Sequence, residues 1–346
     1  MMPNLLPSLQ EWRNLYQAAI ELKKIGCWNW MEDSDLFGVQ NPETGKIGYC
    51  CVLGAIGQVF GLVVYLGTKG LEDCLKIRSG EILPEDFDMI HFQDCLMSSF
   101  DDRNFLKKPD LQTIKSLKLN FRGSKAWPLF RRYEPGYEPW YLNREEAVFL
   151  TIALEQAKDI ALRFKTNSKL LDSPIEGGYL VKAASSEKEG LAWRDEWLKP
   201  TPFGKKEPVI PNVDEIRLQR IKKEAAQSHM VMEIDFFYTP FVITEGEKPY
   251  FPYLLLCVDH KPGMILKHHI ANHKDYLMEF QNQILNLIEM VKSLPKEIRV
   301  KKKESFALLE LIASKLGIKL TLAKNLHALE EAKEEMQNIF LSGKFR

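Results

Sequence analysis

Charge bias is missing from this 346-residue chain: 47 Lys and Arg balance 47 Asp and Glu. That excludes a strongly basic nucleic-acid coat and an acidic disordered tail as descriptions of the whole chain. No CxxC pair occurs among the six cysteines at 27, 50, 51, 74, 95 and 257. Cys50 and Cys51 are adjacent, a spacing unsuited to an ordinary disulfide. The cysteines therefore read as reduced core thiols of a cytoplasmic protein. The first residues, MMPNLLPSLQEW, hold no basic stretch followed by an apolar one, so no signal peptide is expected. The most apolar run, Val52 to Gly67, is interrupted by Gln58 and several glycines. It falls short of the ~20 residues of a membrane span and reads as buried strands, with no membrane partner. Nucleotide and hydrolase fingerprints are absent too. GAIGQVFG carries Gly54, Gly57 and Gly61 without GxGxxG or GK[ST], and GxSxG, HExxH and the kinase set do not occur.

What remains is ordinary globular composition, 45% apolar and 27% charged, in a chain long enough for two domains of roughly 100–200 residues each. Leu9, Trp12, Leu15, Tyr16, Ala19 and Leu22 predict a helix over 8–25, stopped by Gly26. A hairpin follows at 36–39 and 47–53 across Asn41-Pro42-Glu43-Thr44-Gly45, then a buried strand at 61–67 and a helix at 69–77. A strand is favoured at 89–96. Residues 120–141 hold three prolines and aromatics at 121, 127, 130, 133, 137, 140 and 141. The prolines forbid a regular helix, and a braced loop is expected. Asn143 and Glu146 form a capping box before a helix striped by Leu150, Leu154, Ala157, Ala161 and Phe164. Residues 180–183 and 192–197 predict a second hairpin. The Pro- and Lys-rich stretch 199–212 marks the domain boundary, and Asn212 with Glu215 predicts a capped, charged helix bridging the halves.

The last third runs as strands at 231–237, 253–259 and 264–270, a helix with Leu277, Phe280, Ile284, Leu287 and Val291, which Pro295 is expected to end, a strand at 297–300, a helix, a strand at 318–322 and a final helix. That order resembles the ribonuclease H-like fold of many nucleases, integrases and transposases. The residues carrying the likeness are LLLCVD ending at Asp259, PKEIRV ending at Val300, and LGIKL ending at Leu320. In that fold, acids on neighbouring strands hold two divalent cations that activate water. The resemblance puts Asp259 at the first acid, Glu279 at a third, and the second after strand 297–300. Lys301, Lys302 and Lys303 stand there, with Glu304 displaced beyond them. A lysine cannot ligand Mg²⁺. The stretches YCCVLGAIGQVFGLVVYLG, KAWPLFRRYEPGYEPWYL and EIDFFYTPFVI to PYFPYLLLCVD resemble a two-domain bacterial family of uncharacterised function. That likeness spans nearly the whole chain and implies no activity.

Other candidates are weighed on their residues. His269 and His273 have a zinc-like spacing, but no CxxC completes the set, and exposed hairpin histidines explain them as well. Trp127, Arg131, Arg132, Tyr133 and Trp140 could stack bases and contact phosphates, or simply cover the core. The run Arg299, Lys301, Lys302 and Lys303 is either polyanion-binding or a charged strand edge that resists aggregation.

The sequence thus predicts an α/β (α+β) chain with an N-terminal domain over 1–205, a linker and bridging helix over 206–228, and a ribonuclease H-like domain over 229–346. The first functional expectation is a non-catalytic binding or adaptor protein with a degenerate nuclease-like fold, needing no cofactor. The second is a metal-dependent nuclease or phosphodiesterase using Asp259, Glu279 and Glu304 with Mg²⁺ or Mn²⁺. The third is a nucleic-acid-binding protein. Nucleic acid or protein are the partners these readings imply.

Overall fold

The computed structural model describes residues 6–81, 91–187, 190–202, 213–272 and 274–341. The chain divides into two compact units, Met1–Gly204 and Lys205–Arg346.

The first unit opens with α1 (Leu9–Ile25). Ser8 and Glu11 close its N-terminus as a capping box, and Gly26 ends it at φ 63°, a left-handed conformation that glycine adopts without a Cβ penalty. Strands β1 (Phe37–Gln40), β2 (Ile47–Leu53), β3 (Phe60–Leu66), β4 (Cys95–Asp101) and β5 (Trp127–Tyr133) form an antiparallel meander, with α2 (Gly67–Arg78) after β3 and α3 (Lys108–Ser116) after β4. The long helix α4 (Arg144–Thr166) follows, capped by Asn143 and Glu146 as the sequence predicts. The hairpin β6 (Tyr179–Glu187) and β7 (Gly190–Leu198) then returns to the far edge, where β6 pairs parallel to β1. The seven strands lie in the order β5-β4-β3-β2-β1-β6-β7. One face carries α1 and α4, which bury Leu15, Leu22, Leu150, Leu154 and Ile160 against Val52, Leu62 and Phe100. Alanines at 19, 153, 157 and 161 let the two helices approach closely. The other face buries Tyr49, Cys51, Val63 and Cys95 under Leu71 and Cys74 of α2.

Three expectations change here. The strand predicted at 89–96 is β4, shifted to Cys95–Asp101; residues 82–90 lie outside the described ones. The segment expected as a braced loop contains β5. Pro128 forbids a helix, but β5 is an edge strand, where a missing N–H is tolerated. Residue Asn212 lies outside the described residues, and the helix it was expected to cap begins instead at Asp214, whose carboxylate accepts from Ile216 and Arg217 N–H.

That helix, α5 (Glu215–Glu224), buries Leu218 and Ile221 in the core of the second unit, so it is built into that unit rather than serving as a free bridge. A short strand β8 (Ala226–Gln227) precedes β9 (Val231–Tyr238), β10 (Tyr253–Asp259) and β11 (Ile265–Ala271). Helix α6 (Tyr276–Val291) ends at Lys292, which adopts φ 52°, before the Pro295 expected to stop it. Strand β12 (Ser293–Leu294) pairs with β8. Then come β13 (Glu297–Val300), α7 (Lys303–Leu316), β14 (Lys319–Leu322) and α8 (His327–Leu341). The five-stranded sheet runs β11-β10-β9-β13-β14. Its first three strands are antiparallel, and β13 and β14 continue parallel to β9. This is a ribonuclease H-like mixed sheet flanked by helices, and β9 is its centre. Met232, Ile234 and Phe236 point to α5, α6 and α7, while Phe237 of the opposite face packs on α8 beside Leu254 and Leu256. Among the described residues no helix is long and apolar enough to cross a membrane.

Candidate functional site

Strand β9 reads VMEIDFFY, two acids alternating with apolar residues. Period two puts Glu233 and Asp235 on one face, the side that carries α8. Both are buried, Glu233 to 1% exposure. A buried carboxylate has to be paired or hydrogen-bonded, because isolated charge in a low dielectric is costly. Each of these is satisfied by its own chain.

Glu233 accepts from the backbone N–H of Leu329 in the first turn of α8 (2.9 Å) and contacts His260 Nδ1 at 2.6 Å. The second ring nitrogen of His260 lies 3.2 Å from Arg299 Nη1. Guanidinium only donates, so Nε2 of His260 accepts and Nδ1 carries the proton to Glu233. Arg299 also reaches Glu297 (3.4 Å), which takes the Thr321 hydroxyl at 2.7 Å and Lys319 at 3.2 Å. The Thr321 hydroxyl first, then Lys319 and Arg299, hold the Glu297 carboxyl down to about 2. Asp235 faces the start of α7. Ser305 Oγ donates to it at 3.3 Å, and the Lys302 ammonium lies 3.4 Å away. Lys302 also donates to the Phe236 carbonyl at 2.5 Å and sits 5.6 Å from that residue's ring.

The three acids expected from the sequence are not brought together. Asp259 closes the β10–β11 hairpin, accepting from Lys261 N–H at 3.2 Å, as an aspartate beside a turn commonly does. It stands opposite Met232, on the other face of the sheet from Glu233 and Asp235. Glu279 pairs with His269 Nε2 at 3.1 Å, and Glu304 is exposed on α7. His273 lies outside the described residues, and His268 is exposed. Among the described residues no group of three His, Cys, Asp or Glu side chains could hold a metal ion. Asp259, Glu279 and Glu304 therefore do not form a two-cation site among the described residues. The likeness placed the first acid on β10, whereas the central strand of the sheet is β9. Glu233 and Asp235 escaped the sequence reading. The signal available was the pair of acids at period two inside an otherwise apolar strand.

In the first unit the arginines of β5 are spent internally. Arg131 holds Asp110 of α3 with two bonds, at 2.9 and 2.7 Å, and Tyr141 stacks at 4.7 Å. Arg132 pairs with Asp94 at 2.6 Å and Glu146 at 3.2 Å. Trp127 is half-buried, 5.8 Å from Phe121. Trp140 packs on Tyr141, and its backbone pairs with that of Arg132. Burial is the main cause pushing the Tyr133 hydroxyl up to about 12. Of the lysine run, Lys301 pairs with Glu330 at 2.8 Å, Lys302 is engaged as above, and Lys303 is exposed.

Residues 12–182 match the family model described as "Domain of unknown function (DUF7309)", and residues 217–337 match "Domain of unknown function (DUF6930)". The two matches fit a chain of two domains. No curated protein matches it. Among solved structures, the catalytic core domain of BIV integrase is similar at 13% identity over 34% of this chain and 72% of that chain. The TM-score of 0.25 is too slight to add to the strand order.

Proposed function

We propose that the chain is a cytoplasmic, non-catalytic binding or adaptor protein whose second unit is a nuclease-like scaffold with its charged positions closed. The observation that carries this reading is the Lys302 ammonium 3.4 Å from Asp235. A cation of the protein itself stands beside the central-strand carboxylate where hydrolytic chemistry would need a metal ion. His260, Arg299 and the first turn of α8 do the same for Glu233. Carboxylates engaged in this way give the sheet a fixed, neutralised surface rather than open coordination positions. Six free, buried thiols support a reducing compartment.

The test is incubation of the full chain with single- and double-stranded DNA and RNA in Mg²⁺ or Mn²⁺. The expected result is no cleavage. Metal-dependent cleavage that disappears in Asp235→Asn or Asp259→Asn overturns the proposal. Nucleic-acid binding is the second reading, favoured by the exposed Lys303 beside Lys301 and Arg299. It requires affinity that falls steeply with salt. A flat salt response removes it.

A further inference from the structure

Among the described residues, Asp101 of the first unit has no cation partner of the kind that closes Asp235. Met97, Ser99 and Asp101 alternate along β4, and Leu129, Arg131 and Tyr133 along β5, so all six share one face of the sheet edge. They line a cleft of about 350 Å³, with Phe105, Lys107 and Glu138 at its rim. That volume lies at the lower end for small-molecule sites, which combine an apolar floor with a few placed polar groups. The charges in the cleft cancel in pairs, with one exception. Arg131 is matched by Asp110, and Lys107 by Glu138 at 3.3 Å. Among the described residues, Asp101 receives only the Ser99 hydroxyl, at 2.5 Å, and no cation pairs with it. A carboxylate accepts about four hydrogen bonds. The cleft therefore presents a single negative charge above Met97 and Leu129, with the 62%-exposed Phe105 ring at its mouth.

We propose that this cleft binds an organic cation: an ammonium or guanidinium on a short apolar body, the charge meeting Asp101 and the body lying on Met97, Leu129 and Phe105. The cation supplies the charge partner that Asp101 lacks, and the apolar body leaves water for the floor. A free amine and a lysine or arginine side chain of a peptide share this chemistry. The site belongs to the first unit and stands whether or not the second unit hydrolyses anything.

The experiment is ligand-observed NMR or calorimetry on the full chain with phenethylammonium, its neutral analogue 2-phenylethanol, and a blocked tripeptide with a central lysine. The expected result is saturable binding of phenethylammonium, about tenfold or more weaker for the alcohol and for Asp101→Asn. Phe105→Ala, at a 62%-exposed position, is expected to weaken phenethylammonium and 2-phenylethanol alike and keeps the test open if Asp101→Asn misfolds. Tighter binding of the tripeptide than of the amine assigns the cation to a peptide side chain, and tighter binding of the amine assigns it to a free small molecule. The proposal is overturned if the alcohol binds as well as the amine, if Asp101→Asn and Phe105→Ala both bind like the parent, or if neither cationic probe saturates at about 10 mM.

Discussion

Asp235 in the second unit and Asp101 in the first are built alike up to a point. Each sits in a β-strand, and each receives a serine hydroxyl, Ser305 in one case and Ser99 in the other. They differ in the second partner. Asp235 has the Lys302 ammonium, whereas Asp101 has no cation of its own chain among the described residues. The contrast separates two uses of a carboxylate. One is neutralised internally and fixes the start of α7 against the central strand. The other keeps its charge for something outside the chain. Acidic character alone says nothing about which use applies; the presence of a second, cationic partner does.

The largest effect is expected where a closed pair is broken on both counts of burial. Arg131 and Asp110 side chains are each 10% exposed. Arg131→Ala leaves the Asp110 carboxylate with the Lys107 N–H and no cation, and should cost about 3–5 kcal/mol in urea unfolding of the first unit. A loss below about 1 kcal/mol would mean that closure of this pair contributes little.

Thr321→Val comes next. It removes the foremost group holding Glu297 down to about 2. A depressed carboxyl stabilises the fold above its unfolded value near 4.5, and the benefit is lost as pH falls through about 2. The variant should therefore lose about 1 kcal/mol at neutral pH, with the gap to the parent shrinking between pH 4.5 and 2. A gap independent of pH would assign the loss to packing.

Lys302→Met makes Asp235 resemble Asp101. The lysine side chain is 38% exposed, so the loss should stay below about 1 kcal/mol. A larger loss would show that Lys302 acts through its bond to the Phe236 carbonyl as well. The smallest effect belongs to Asp101→Asn, within about 0.5 kcal/mol of the parent by thermal unfolding, because no cation is left unpaired. Strong destabilisation there would place Asp101 among the closed carboxylates and erase the contrast.

Local signals carried far into the fold. Gly26 stops α1, Asn143 and Glu146 start α4, and the periods of 2 and 3.6 located most strands and helices. The C-terminal element order pointed to the ribonuclease H-like sheet that the strand order displays. Two kinds of information were not local. Pro128 rules out a helix but not an edge strand, and edge position depends on what pairs with the other side. The rank of strands within a sheet is likewise set by long-range pairing. Asp259 ends a convincing strand, yet β9 is central because β13 joins it in parallel from about 65 residues away. The partners of Glu233 come from the end of β10, from β13 through His260, and from α8, so nothing in any one segment announced the network.

The parallel pairing of β1 with β6 has a consequence for the newborn chain. Residues 37–40 emerge before their partner strand, which begins at Tyr179, roughly 140 residues later. At about 5–20 residues per second, a ribosome needs on the order of ten seconds to supply it. Throughout that interval β1 offers a bare hydrogen-bonding edge, the kind of surface on which chains aggregate or recruit chaperones.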